Sequence, residues 1–97
     1  MGLNKTWVQI VWLDITSKSE PWISLDEAVE MEPAMMVTVG CLLEENASFV
    51  TIASTLDISE ELVGDVNCIP RGTILEIKPI ASVNIAELCA GEHKSQE

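Results

Sequence analysis

The stretch that most constrains the fold of this chain is residues 37–53, because it predicts a β-hairpin. Two runs rich in β-branched residues flank a polar tip at residues 44–48. Alternating apolar residues on both sides of a short polar tip are typical of two antiparallel strands. The residues predicted to face the core are Val39, Cys41, Leu43, Val50 and Ile52. Gly40 interrupts the first strand and predicts a bulge or a tight bend there.

Three further strands are predicted around the hairpin. Residues 7–14 carry apolar side chains on both faces, which is typical of a central strand covered on each side. Residues 63–69 form a fourth strand and residues 73–78 a fifth, with a tight turn at residues 70–72 between them. Pro79 is expected to end the pairing of the fifth strand, because proline has no N–H to donate.

A short helix is predicted before the hairpin, over residues 24–32. Ser24 and Glu27 have the spacing of a capping box, and Pro33 disfavours continuation of the helix. A helix of about two turns is marginal alone, so it is expected to pack on the sheet. The residues predicted on its buried side are Leu25, Ala28 and Val29.

This order of elements predicts a mainly β fold with one short helix, arranged as a small five-stranded SH3-like or Sm-like barrel. The alternative is a small α+β domain with an open sheet. We expect residues 1–80 to form the single domain. Residues 81–97 are expected to be a C-terminal extension, with a short helical turn followed by a frayed acidic tail.

The excess of acidic residues makes some kinds of binding partner unfavourable. Sixteen acidic residues face five basic ones, which gives a net charge of -11. Nucleic acids and anionic membrane surfaces are bound mainly by Lys and Arg, so both are disfavoured as partners. The acidity serves either solubility or an acidic surface that imitates nucleic acid and binds a basic protein. No apolar run approaches the roughly 20 residues that span a bilayer, and no hydrophobic signal core is present, so we expect a soluble cytoplasmic protein.

Residue patterns of catalysis or metal binding are missing from the sequence. The three cysteines form no CxxC pair, and the single histidine, His93, lies in the polar tail. Serine-hydrolase, zinc-protease and phosphate-loop motifs are missing too. We therefore expect no enzyme, no catalytic residue, no metal and no cofactor.

One tryptophan and one group of acidic residues are candidates for binding a partner. Trp22 lies in a polar loop, where it is either a lid over the end of the barrel or an anchor for a partner. Residues 54–61 predict a polar, acidic connection with one helical turn. The candidate acidic residues in and beside it are Asp57, Glu60, Glu61 and Asp65.

The chain also resembles a group of short uncharacterised proteins, about 80–100 residues long, from bacteriophages and prophages. The resemblance covers roughly residues 7–80. Its motifs are Trp12 with Asp14, Trp22 with residues 25–28, Val39-Gly40 with residues 43–45, Val63-Gly64, Ile69-Pro70, Ile74 and Ile77. It implies a phage origin and a β fold, and it implies no activity or binding residue.

Three functions are compatible with these features. The first is a non-enzymatic phage protein that binds or inhibits a host or phage protein in the host cytoplasm. The second is a counter-defence module that sequesters a small ligand near Trp12 and Trp22, with Arg71 and Lys78 converging on any phosphate. The third is a minor structural protein of the virion. Assembly into a homo-oligomer remains open.

Overall fold

A computed structural model describes residues 4–87 as one antiparallel sheet of five strands. The strands are β1 (Asn4–Asp14), β2 (Ala34–Glu45), β3 (Phe49–Asp57), β4 (Leu62–Pro70) and β5 (Ile74–Asn84). One α-helix, α1 (Leu25–Val29), lies between β1 and β2, and one 3₁₀ turn (Arg71–Thr73) joins β4 to β5. The mainly β fold and the hairpin predicted from the sequence are confirmed.

The sheet is open. Its strand order is β4-β3-β2-β1-β5, so β4 and β5 are its outer strands and do not pair with each other. The predicted SH3-like or Sm-like barrel is therefore not confirmed as a closed structure, and an open sheet, as in the alternative, is observed. The 3₁₀ turn links β4 to β5 without aligning them into a ladder.

The core lies on one face of the sheet. Its fully buried side chains are Val8, Ile10, Val50, Ile52 and Ile69, and the partly buried side chains packed against them are Trp12, Leu42, Ile74 and Ile77. Ile52 is completely buried, as the hairpin pattern predicts. The prediction that Val39 and Leu43 face the core is wrong. The alternating residues Gly40, opposite Val8, and Leu42, opposite Ile52, lie on the core face of β2 instead. Cys41 is buried as well, but on the opposite face.

β2 pairs with β1 along its first part and with β3 along its second part. Its first part pairs with β1 through the register Trp7 opposite Cys41 to Asp14 opposite Ala34. Its pairing with β3 begins only at Cys41 opposite Ala53 and continues towards the hairpin tip. Gly40 lies at this junction, where a Cβ would stand 2.9 Å from the carbonyl oxygen of Ala53. The glycine is thus required by the close approach of the β3 backbone.

The connection between β1 and β2, residues 15–33, carries α1 away from the core. The amide of Glu27 donates a 3.1 Å hydrogen bond to the Ser24 hydroxyl, as the capping pattern predicts. The helix is shorter than predicted, and the expected burial of Leu25, Ala28 and Val29 is wrong because all three are exposed. No residue of α1 is buried, so the helix does not pack on the sheet as predicted.

Three further boundaries differ from the sequence prediction. β3 continues to Asp57 through part of the predicted polar connection, so the remaining turn has only four residues. β5 continues past Pro79 to Asn84, because an outer strand tolerates a missing N–H and absorbs a register shift beside it. The predicted boundary at residue 80 thus falls inside β5, and the predicted acidic tail lies outside the described residues.

Candidate partner-binding site

The β1–β2 connection presents a cluster of exposed apolar side chains. Trp22 is 90% exposed, Leu25 is 77% exposed and Val29 is 71% exposed. Trp22 therefore does not act as a lid over the sheet, and its exposure favours the alternative of an anchor for a partner. Leu25 and Val29 lie one helical turn apart and share one side of α1. We call Trp22, Leu25 and Val29 the exposed apolar cluster.

The connection that carries this cluster is acidic. Five carboxylates and one ammonium group lie in residues 15–33: Glu20, Asp26, Glu27, Glu30, Glu32 and Lys18. The two ends of the connection are joined where the Thr16 hydroxyl donates a 2.8 Å hydrogen bond to the carbonyl oxygen of Glu32. A depression of about 440 Å³ lies between these ends and residues Gly72 and Thr73. The connection is thus closed at its base and exposed at its tip.

Three of the four predicted acidic residues are brought together by the turn between β3 and β4. Asp57 ends β3, and its Oδ1 accepts hydrogen bonds from the Ser59 hydroxyl at 3.0 Å and the Glu60 amide at 3.1 Å. Glu61 follows in the left-handed region with a φ of 55°. Aspartate often stabilises a tight turn in this way, by accepting from the backbone two or three residues ahead. We call residues 57–61 the acidic turn.

Asp65 lies apart from the acidic turn, on β4. Its φ of 52° is uncommon outside glycine, and aspartate is one of the residues that tolerate it. Its exposed side chain is carried by an outer strand of the sheet. The structure therefore places Asp65 along the edge that begins at the acidic turn.

Exposed apolar residues at the start of β4, which were not predicted to bind a partner, follow the acidic turn. Leu62 is 61% exposed and Val63 is 42% exposed. Val63 and Glu61 line a cavity of about 200 Å³ together with Lys5, Leu43 and Leu56. In the sequence, acidic residues are followed directly by apolar ones at positions 60–63, and this pattern could have indicated apolar surface beside the acidic turn. The acidic turn is thus bordered by apolar surface.

Arg71 is engaged within the protein. Its Nη2 lies 2.9 Å from Glu45 Oε1, and its Nε donates a 2.9 Å hydrogen bond to the carbonyl oxygen of Asn46. Lys78 lies opposite Gln9 in the ladder between β1 and β5. The convergence of Arg71 and Lys78 on a phosphate, which ligand sequestration requires, is therefore not formed.

The two aromatic residues proposed to hold a small ligand lie in different environments. The Trp12 indole is partly buried and donates a 2.8 Å hydrogen bond to the Thr38 hydroxyl, whereas Trp22 is exposed. Neither the 200 Å³ cavity nor the 440 Å³ depression has an aromatic lining. Within residues 4–87, no three His, Cys, Asp or Glu side chains are grouped as metal ligands would be.

Comparisons with known proteins add no relative. No protein-family model, no curated protein and no solved structure matches this chain. Over residues 4–87, no helix has the length and apolar character needed to cross a membrane. The resemblance to phage proteins therefore stays an expectation from the sequence.

Proposed function

We propose that this chain is a non-enzymatic interaction protein that binds another protein through the β1–β2 connection. The observation that carries the proposal is the 90% exposure of Trp22 beside Leu25 and Val29. A tryptophan is the type of side chain that most often contributes a large share of the binding energy at an interface. Clustered exposed apolar side chains rimmed by polar residues mark interaction sites.

The charges specify the chemistry of the partner. The exposed apolar cluster shares the β1–β2 connection with five carboxylates and a single ammonium group. A matching surface is an apolar pocket with a rim of Lys and Arg, because complementary potentials favour encounter and fix orientation. The acidic turn and Asp65 add to the negative field that steers such a partner.

The origin and the fold relationship enter the proposal with the resemblance described above. It supports a phage-encoded protein that binds or inhibits a host or phage protein in the host cytoplasm. The five-strand order and the 3₁₀ turn between β4 and β5 support a distant relation to SH3-like barrels, opened between these two strands.

Affinity capture with matched variants tests the proposed site. Immobilised wild-type protein, Trp22→Ala and Leu75→Ala are compared in a lysate of the cells in which the protein is naturally produced. Leu75 is 55% exposed on β5 and lies outside the exposed apolar cluster. We expect a protein that wild type and Leu75→Ala retain and Trp22→Ala loses. The same proteins on all three surfaces would reject the site.

A second pair of variants separates steering by the acidic turn from general electrostatics. Glu60→Gln with Asp65→Asn removes one charge of the acidic turn and one charge of β4, whereas Glu76→Gln with Glu87→Gln removes two exposed charges elsewhere. The association rate of the captured partner should fall for Glu60→Gln with Asp65→Asn only. Added salt should reduce the difference in association rate between this double variant and wild type, because exposed charges are screened over about 8–10 Å at 0.1–0.15 M. Equal rates in the two pairs would assign the acidity to solubility alone.

A further inference from the structure

The first half of β2 has a strand on one side only. Residues 34–40 pair with β1, but the ladder with β3 begins only at Cys41 opposite Ala53. β3 then continues with β4 and leaves β2, since Thr55 lies opposite Gly64 and Asp57 opposite Leu62. Within residues 4–87, no strand pairs with this half of β2 on the side away from β1. We call it the free edge of β2.

Backbone groups of alternate residues point outward at this free edge. The Ser54 hydroxyl donates a 3.4 Å hydrogen bond to the carbonyl oxygen of Val39, so that carbonyl faces away from β1. In an antiparallel strand the N–H and C=O groups of every second residue point to the same side. The N–H and C=O groups of Met35 and Val37 therefore point out of the sheet at the free edge.

The side chains at the free edge are apolar and exposed. Met35 is 67% exposed, Val37 is 61% exposed and Val39 is 43% exposed. No charged residue occurs between Glu32 and Glu44, although the chain as a whole carries a net charge of -11. Such an uncharged strand edge is a template for pairing with another chain.

The two outer strands of the sheet differ from this edge, because both carry protective features. β5 contains Lys78, Pro79 and two shifts of register against β1. β4 contains Asp65 with its positive φ. Charged residues, proline and irregular backbone are the usual means by which an edge is kept from pairing. The free edge of β2 has none of them.

We propose that a second copy of this chain covers the free edge, with the two β2 strands antiparallel about a twofold axis near Val37. In that arrangement the outward N–H and C=O groups of Val37 meet the same groups of Val37 in the other copy, and Met35 lies opposite Val39 of the other copy, so donors and acceptors are matched by symmetry. Because no residue between Glu32 and Glu44 is charged, pairing at the free edge sets no acidic side chain of these segments directly against another, and only the net charges of -11 repel at longer range.

The oligomeric state of matched variants tests the pairing. Val37 and Leu62 are both 61% exposed, and a lysine at either position adds the same charge. By light scattering over a dilution series, wild type and Leu62→Lys should be dimers, and Val37→Lys should be a monomer with an unchanged circular dichroism spectrum. Added salt should strengthen the wild-type dimer by screening. A monomeric wild type, or equal disruption by both lysines, would overturn the proposal.

A cysteine test does not depend on how well Val37→Lys folds. Directly opposed residues in a hydrogen-bonded antiparallel pair have Cα atoms about 5.5 Å apart, which is within the range for a disulfide. In a background with Cys68→Ser and Cys89→Ser, Val37→Cys should form a disulfide-linked dimer on oxidation, and Leu62→Cys should not. Failure of Val37→Cys to form the crosslinked dimer would overturn self-pairing. The free edge would then be available only for pairing with an extended segment of another protein.

The proposal concerns β2 and is independent of the exposed apolar cluster. Trp22→Ala should leave the dimer intact, and Val37→Lys should leave the captured partner bound. The two variants therefore distinguish failure of self-pairing from failure of the proposed function.

Discussion

Gly40 is the residue at which β2 passes from β1 to β3. A Cβ at this position would lie 2.9 Å from the Ala53 carbonyl oxygen and 3.2 Å from the Ile52 Cβ. The obstacles are backbone atoms of β3 and a buried side chain, and neither moves freely. The course of β2, and with it the free edge, depends on this contact.

Gly40→Ala should lower the free energy of unfolding by about 1–3 kcal/mol, the usual cost of overpacking a well-packed site. Gly72→Ala is the control, because a Cβ at Gly72 would meet no atom within 4 Å. That variant should stay within about 0.5 kcal/mol of wild type. Urea unfolding measures both, and equal effects would show that the contact at Gly40 is not tight.

Ile52→Ala tests the core itself. Ile52 is completely buried between Val50 and the partly buried residues of the same face. Truncation should cost about 2–5 kcal/mol, from lost apolar burial and the cavity that remains. Leu75→Ala, at a 55% exposed position, should cost much less. A denaturant midpoint equal to wild type would place Ile52 outside the core.

Cys41 links stability to pH. Burial raises the pKa of the Cys41 thiol above its ordinary value, and the nearby Lys5 ammonium group partly opposes the rise. The folded protein therefore holds this proton to a higher pH than the unfolded chain does. The stability that the protonated Cys41 thiol contributes is fully present below the pKa of this thiol in the unfolded chain. It is lost as the pH rises through the pKa of the thiol in the folded protein. Above about pH 8.5 the free energy of unfolding should fall more steeply in wild type than in Cys41→Ala. Parallel pH profiles would contradict this.

At the scale of elements, the tip of the β2–β3 hairpin is attached to the 3₁₀ turn. Asn46 Oδ1 accepts hydrogen bonds from the Ser48 and Phe49 amides at 2.8 and 3.0 Å, which shapes the tip. The Arg71 amide donates a 2.9 Å hydrogen bond to the Ser48 carbonyl oxygen. The Arg71 guanidinium then binds both Glu45 and the Asn46 carbonyl. The tip is held by backbone and side-chain bonds from one residue.

Because Arg71 makes two side-chain bonds, substitutions of Glu45 and of Arg71 should lower the free energy of unfolding by different amounts. Glu45→Gln should lower the free energy of unfolding by at most about 1 kcal/mol, because the ion pair is partly exposed. Arg71→Ala also removes the bond to the Asn46 carbonyl, which adds about 0.5–1.5 kcal/mol. Thermal unfolding of both variants checks the order. Equal costs would mean that the bond to Asn46 contributes nothing.

Elements governed by local chemistry were predictable, and those governed by contacts between elements were not. The alternation around residues 44–48 predicts the hairpin, and Ser24 with Glu27 predicts the start of α1. Whether α1 reaches the sheet depends on the path of residues 15–33, which no local pattern specifies. The register shift beside Leu43 and the continuation of β5 past Pro79 likewise depend on neighbouring strands.

The same distinction applies to the candidate site. Trp22 and the residues of the acidic turn were found because their residue types are unusual for loops or close together in the sequence. The apolar run at residues 34–39 predicted only a paired strand. Its free edge arises because β3 leaves β2 after Ala53, a relation between distant segments that the sequence pattern does not contain.

At the scale of the whole molecule, an open sheet covers little of its own apolar surface. Eight hydrophobic residues are buried within residues 4–87, whereas fourteen large apolar side chains are exposed. A monomer rarely exposes contiguous apolar patches of large area. The balance supports the proposal that this chain binds a partner through exposed apolar surface.

Site-specific photocrosslinking tests this claim most directly. A benzophenone amino acid replaces Trp22 in one variant and Leu75 in a control, and both are irradiated in the cells in which the protein is naturally produced. We expect one discrete adduct with a different protein at position 22 and none of that mass at position 75. No adduct at position 22, or the same adducts at both positions, would contradict it.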